Sequence, residues 1–246
     1  MRFPDIEGRI ERRLLVNYRV DPEILARVLP KPFRPQLVGD AGVAGICLIR
    51  LGRMRPRHFP AWVGLTSENA AHRVAVEWDT PLGPQTGVYI PRRDSDSWTN
   101  IVVGGRIYPG RHHRASFEVQ ETDGDVRVAY VARDGSAQVD VSVRPIDQMT
   151  GSRLFTDLAE ASAFFEAGSI GYSATPQPER FDGLGLKTTA WSVEPTIVNH
   201  ARSSFFDDQG TFPTGTAQLD SALLMRSVPV LWEPLPTLHG DVETVA

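Results

Sequence analysis

Short apolar stretches with alternating flanks recur along this chain, and turn residues interrupt them every 8–15 positions. Residues 10–20 (Ile-Glu-Arg-Arg-Leu-Leu-Val-Asn-Tyr-Arg-Val) predict a strand. Asp21, Pro22 and Glu23 then supply an N-cap, a first-turn proline and a dipole-compatible acid. A short helix with Ile24, Leu25, Val28 and Leu29 on its apolar side follows, ended by Pro30, Pro32 and Pro35. Strands are predicted at 36–38 and 43–51. In 71–78, His72, Val74, Val76 and Trp78 share one face, with Arg73, Ala75 and Glu77 on the other. A short strand at 87–91 carries Tyr89. Residues 115–120, 126–132 and 137–144 form a meander joined by Asp-Gly turns, a strong hairpin signal. Leu154, Phe155, Leu158, Ala161, Phe164 and Phe165 recur near a 3.6-residue period and predict one long helix over 154–167, closed by Gly168. That aromatic stripe reads as core. Further strands are expected at 188–193 and 196–199, a helix or strand at 218–228, and a last strand or a packed tail at 230–233. Residues 53–60, 92–97 and 171–176 read as loops, and the chain beyond 238 as frayed. The sum is an α+β protein dominated by antiparallel strands in a curved or barrel-like sheet, organised as a single domain over 1–246.

Composition narrows the function classes. The net charge of −4 argues against a nucleic-acid binder. No apolar run reaches the length of a membrane span, and the charged N-terminus lacks the apolar core of a signal peptide, so a cytoplasmic protein is expected. The single cysteine, Cys47, allows no internal disulfide, and no Cys/His spacing suggests a metal site. Only two of the 26 basic residues are lysines, Lys31 and Lys187. Arginine cannot form an imine, so Schiff-base chemistry has two candidates at most.

The densest cluster of candidate chemistry is 104–114, where Arg106, Tyr108, Arg111, His112, His113 and Arg114 follow two glycines. Between two predicted strands it suggests the wall of a pocket for an anionic or carbonyl compound. His112 and His113 would point to opposite faces if extended. Other motifs fail on inspection. Asp94 and Asp96 lack the glycine and glutamate of a calcium loop, Gly171-Tyr172-Ser173 is only half a nucleophile elbow, and 183–189 misses the phosphate-loop spacing.

Three segments resemble the acetoacetate decarboxylase family. Residues 13–21 with Val28-Leu29-Pro30-Lys31-Pro32 resemble its opening strand and helix. Thr66-Ser67-Glu68 resembles the segment holding its active-site glutamate. Gly105-Arg106-Ile107-Tyr108-Pro109-Gly110-Arg111 resembles a shortened form of its lysine motif. The later half, through Ala163–Ser169, Gly171-Tyr172-Ser173, Trp191–Pro195 and Asp220–Met225, is most similar to the YqjF-like branch of that superfamily. The resemblance implies a cone-shaped antiparallel β-barrel around one small-molecule cavity, with helices outside, often in a homo-oligomer and without cofactor or metal. Acetoacetate decarboxylase exemplifies a lysine activated by a neighbouring cation. Here Gly110 stands at the imine-forming position and Arg111 at that of the neighbouring cation. The resemblance implies Glu68 and Arg106 as catalytic residues; from the residues themselves His72, named with them as catalytic, or else His112 or His113, is expected to assist as acid or base. Arg13, Tyr89, Tyr108, Arg111 and His113 are expected to contact substrate. Three readings follow: an enzyme on a small carboxylate, keto or enol compound without a Schiff base; a binder that has lost the decarboxylase lysine; or imine chemistry moved to Lys187.

Overall fold

The structure is a computed structural model, and it describes residues 5–97, 110, 112–122 and 124–240. The elements in order are β1 (Ile6–Val20), α1 (Pro22–Val28), β2 (Arg34–Pro35), β3 (Leu37–Val38), β4 (Ala41–Pro56), a 3₁₀ turn (Ala61–Val63), β5 (Leu65–Thr80), β6 (Gly83–Ser95), β7 (His112–Thr122), β8 (Asp125–Ala132), β9 (Gln138–Pro145), α2 (Leu158–Ala167), β10 (Ile170–Ala174), β11 (Arg180–Lys187), β12 (Glu194–Ser203) and β13 (Ala217–His239). All thirteen strands belong to one sheet, antiparallel except where β6 runs parallel to β10 and to β7.

That sheet closes on itself twice. The path β13-β1-β4-β5-β6 is common to both closures. Through β10 and β11 it returns to the C-terminal half of β13, making a ring of seven strands. Through β7, β8, β9 and β12 it returns to the N-terminal half of β13, making a ring of nine. The rings part at two long strands: β6 pairs β10 at residues 88–90 and β7 at residues 93–95, and β13 pairs β12 at residues 222–224 and β11 at residues 231–239. The larger ring is filled with side chains. Leu14, Val16, Ile46, Leu48 and Leu224 meet Val126, Val128, Tyr130, Val139, Val141 and Val143 there, and each of these is almost wholly buried. The alternating pattern of β8 and β9 thus has a direct cause: every second residue enters this core.

The opposite face of β1, β4 and β5 is covered by α2 and the segment before it. Leu154, Phe155, Ala161 and Phe165 pack on Leu15, Val43, Cys47, Ala71 and Ala75. The helix begins four residues later than its periodicity predicts. Asp220 accepts hydrogen bonds from the backbone N–H of Arg153 and Leu154, and the Ser152 hydroxyl from that of Phe155, which diverts those donors from helical pairing. Asp157 then caps the helix through the Glu160 N–H, while Glu160 reaches back to the Thr156 N–H.

Other boundaries shift by the same logic. The polar segment 92–95 is strand because Arg92 and Asp94 satisfy each other internally while their backbones pair β5 and β7. Residues 171–174 are strand because β6 and β11 flank them. Residues 188–193 carry no strand, and 217–239 form one continuous strand. Among the described residues no helix is long and apolar enough to cross a membrane.

Candidate active site

The site is built on three adjacent strands. Across β1, β4 and β5 successive rungs read Arg13–Ile49–Asn69, Leu15–Cys47–Ala71 and Asn17–Gly45–Arg73. Strand alternation sends all of these to the face under α2. The intervening rungs, Arg12–Arg50–Glu68, Leu14–Leu48–Ala70 and Val16–Ile46–His72, face the filled core of the larger ring. On the α2 side a cavity of about 130 Å³ remains open inside the seven-stranded ring. Every strand of that ring contributes to its wall, from Arg13 on β1 and Cys47 on β4 to Leu184 on β11 and Trp232 on β13. Gly168 and Ser169, just beyond α2, line it as well. A cavity of roughly 150 Å³ accommodates benzene, so this one suits a compound of about six non-hydrogen atoms.

Its charge is unusual. Arg73 is only 4 % exposed, yet among the described residues no carboxylate pairs with it. One amino group donates to Asn17 Oδ1 at 2.5 Å, and Nε has no hydrogen-bond partner. The guanidinium lies 4.7 Å from the centre of the Phe165 ring, so α2 supplies a cation–π contact where a counter-ion would be expected. Burial lowers the pKa of Arg73 to about 10, which leaves it charged at neutral pH. Arg13 enters the same cavity and donates from Nε to the Cys47 sulfur at 3.1 Å. Arg93, from β6, donates to the hydroxyl of buried Ser173 at 3.1 Å. Three guanidinium groups therefore line a small, largely apolar chamber. Such an arrangement can hold a carboxylate and stabilise negative charge that develops on a neighbouring oxygen.

Of the residues expected from sequence, Arg13 reaches the cavity. His112 lines it, while His113 turns away to Asp134 at 3.3 Å, as alternation requires. Tyr89 does not face the cavity. It packs with Phe33 and Phe181 in the aromatic cluster on the other side of β6, where burial raises its pKa. His72 is wholly buried beside Phe205, with Nε2 3.4 Å from the Ser203 hydroxyl. Burial lowers its pKa to about 3, so it is a neutral core residue. Glu68 is not brought to the cavity either. On the far face it accepts hydrogen bonds from Arg12 at 2.6 Å and Arg50 at 3.2 Å, and Arg12 also pairs with Glu121 at 2.9 Å. Arg106, Tyr108 and Arg111 lie outside the described residues.

Neither lysine lines the cavity. Lys31 is exposed, and Lys187 is exposed and paired with Glu233 at 2.6 Å. Gly110, which the resemblance places at the lysine position, has φ +98°, and a Cβ there would fall 2.6 Å from Cβ of Ser173. Sequence reading missed Arg73 and Cys47 as site residues. The available signal was an arginine between Ala71 and Ala75 on one strand face, where small neighbours leave room for a long charged side chain. Among the described residues no group of His, Cys, Asp and Glu is arranged to hold a metal ion.

The fold is similar to that of acetoacetate decarboxylase and of enzymes described as like it. The structure matches acetoacetate decarboxylase from Legionella pneumophila with a TM-score of 0.65 at 13% identity, covering 98% of this chain and 89% of that one. An acetoacetate decarboxylase-like enzyme from Sphingomonas wittichii matches with a TM-score of 0.60 at 10% identity, covering 98% and 94%. The enduracididine biosynthesis enzyme MppR, complexed with the condensation product of pyruvate and imidazole 4-carboxaldehyde, matches with a TM-score of 0.60 at 14% identity, covering 99% and 92%. The chain belongs to the DUF2071 family, described as "Uncharacterized conserved protein (COG2071)", whose model matches residues 8–217. No curated protein matches it in sequence.

Proposed function

We propose that the chain is an enzyme acting on a small carboxylate that carries a keto or enol group, and that it works without a Schiff base. The observation that carries this reading is Arg73, a buried cation whose missing counter-ion a substrate carboxylate would supply. Arg13 and Arg93 add positive charge around the same chamber. They would polarise a carbonyl or hold an enolate. The volume fits an oxo acid of three or four carbons, and pyruvate, with which MppR is also described as complexed, is of that class. His112 is the side chain best placed to move a proton near neutral pH. Isomerisation, dehydration, hydrolysis and cyclisation all fit such a site.

One observation favours a second reading, a binder without turnover. The carboxylate on the cavity wall, Asp94, is occupied by Arg92 at 2.8 Å and by the Tyr130 hydroxyl at 3.3 Å, so it is poorly free to act as a base. Thermal shift with 2-oxo and 3-oxo acids of three to five carbons, followed by NMR of the incubated mixture, tests both readings. Stabilisation by at least one acid, lost in Arg73→Met, is expected, with conversion of that acid supporting the enzyme and its recovery unchanged supporting the binder. If no acid stabilises the protein, or if Arg73→Met responds like the parent, the cavity reading is wrong.

A further inference from the structure

We propose that Cys47 is a covalent anchor of this cavity, adding reversibly through its sulfur to the carbonyl carbon of the bound compound. This rests on the reading of the cavity as a site for small anionic carbonyl compounds. Cys47 lies on the middle rung, between the rung of Arg13 and that of Arg73. Its sulfur accepts a hydrogen bond from Arg13 Nε at 3.1 Å. Independently of the cysteine, Arg73 points to a ligand: it is 4 % exposed, lines the same chamber, and leaves Nε without a partner. Cys47 lines the same chamber, with the small side chain of Ala71 across the rung. Among the other nucleophile types on the wall, the Ser169 hydroxyl donates to the Glu166 carbonyl at 2.5 Å. Among the described residues neither lysine lines the chamber.

The step is an addition. A bond forms between Sγ and the carbonyl carbon, the C=O π pair moves to oxygen, and the thiol proton ends on that oxygen. The product is a thiohemiketal, and no oxidant, reductant or leaving group is involved. The guanidinium groups of Arg13 and Arg73 hold the carboxylate and the charge that passes through the oxygen. A sulfur nucleophile thereby does part of what an imine-forming lysine does, tethering the substrate at its carbonyl carbon.

2-Oxobutyrate labelled with ¹³C at the ketone carbon tests this on the intact chain. The expected result is that it raises the melting temperature and that a protein-bound signal appears in the tetrahedral carbon region. In Cys47→Ala that signal disappears and a smaller thermal shift, from the arginines alone, remains. Because the chain has a single cysteine, alkylation with iodoacetamide reports on this site alone, and 2-oxobutyrate should slow it at least tenfold. Stabilisation of the parent protein with the ketone signal unchanged overturns the covalent anchor and leaves the cavity reading standing. A tetrahedral signal that survives in Cys47→Ala also overturns it. Absence of both stabilisation and signal in the parent removes the cavity reading and the anchor with it. The parent spectrum decides even if the alanine variant does not fold.

Discussion

An arginine inside a protein without a carboxylate beside it costs stability, because the charge is taken from water without full compensation. For Arg73 the sign follows from its pKa, which burial lowers to about 10 in the fold from the higher value of a free arginine. The unfolded chain holds that proton more tightly, so the penalty is complete at neutral pH and relaxes only as pH rises beyond about 10. Arg73→Met should therefore stabilise the ligand-free protein by about 1–3 kcal/mol, a rise of several degrees in melting temperature, while abolishing stabilisation by small carboxylates. Melting curves with and without ligand check both halves. His72 shows the same physics in a residue buried away from the cavity. Its pKa is about 3 in the fold and 6.5 when free, so the unfolded state gains a proton as pH falls below about 6.5. Stability is fully present above that value and is lost down to about pH 3, by at most about 1.4 kcal/mol per pH unit. His72→Phe should flatten this acid limb, as denaturant titrations at pH 6, 5 and 4 would show.

At the scale of elements, α2 does two things at once. Its Phe155 and Phe165 complete the core over β1, β4 and β5, and Phe165 lies under the guanidinium of Arg73. Phe165→Leu keeps most of the apolar burial and removes the aromatic face. A loss of roughly 1 kcal/mol of cation–π interaction should weaken carboxylate binding about fivefold, with only a small drop in melting temperature. Calorimetric titration measures the first and a melting curve the second. Equal affinity would mean that the ring serves the core alone. The apolar period of α2 was visible in the sequence, as was the capping of α1 by Asp21, whose side chain accepts from the Glu23 N–H at 2.8 Å. The late start of α2 was not, because the groups that divert its first N–H donors include Asp220, more than 60 residues away. Strand β10 was hidden for a related reason: its partners are β6 and β11, and a short Gly-Tyr-Ser stretch has no strand pattern until those neighbours stand beside it.

For the whole molecule, the decisive feature is that one three-stranded wall separates a filled core from a charged cavity. Substitutions on alternate residues should therefore have different consequences. Glu68 faces away from the cavity and neutralises Arg12, which is 2 % exposed. Glu68→Gln should lower stability by about 2 kcal/mol, less than for an isolated buried pair because Glu121 still contacts Arg12, and should leave ligand affinity within twofold. A tenfold loss of affinity at unchanged stability would instead place Glu68 in the functional machinery.

The primary structure by itself determined the strand-rich class, the Asp-Gly hairpins of the meander, the opposite facing of His112 and His113, and the exclusion of disulfides and of all but two candidate amines. These depend on residue type and on spacing within one element. Only the tertiary structure decided which face of β1, β4 and β5 borders empty space and which borders Val126, Val141 and their neighbours. A period of two states that two faces differ without saying what covers either. That choice made Arg73, Cys47 and Arg13 the lining of a chamber and made His72 and Tyr89 part of the packing, because α2 and β11 close over one side of the wall from far along the chain.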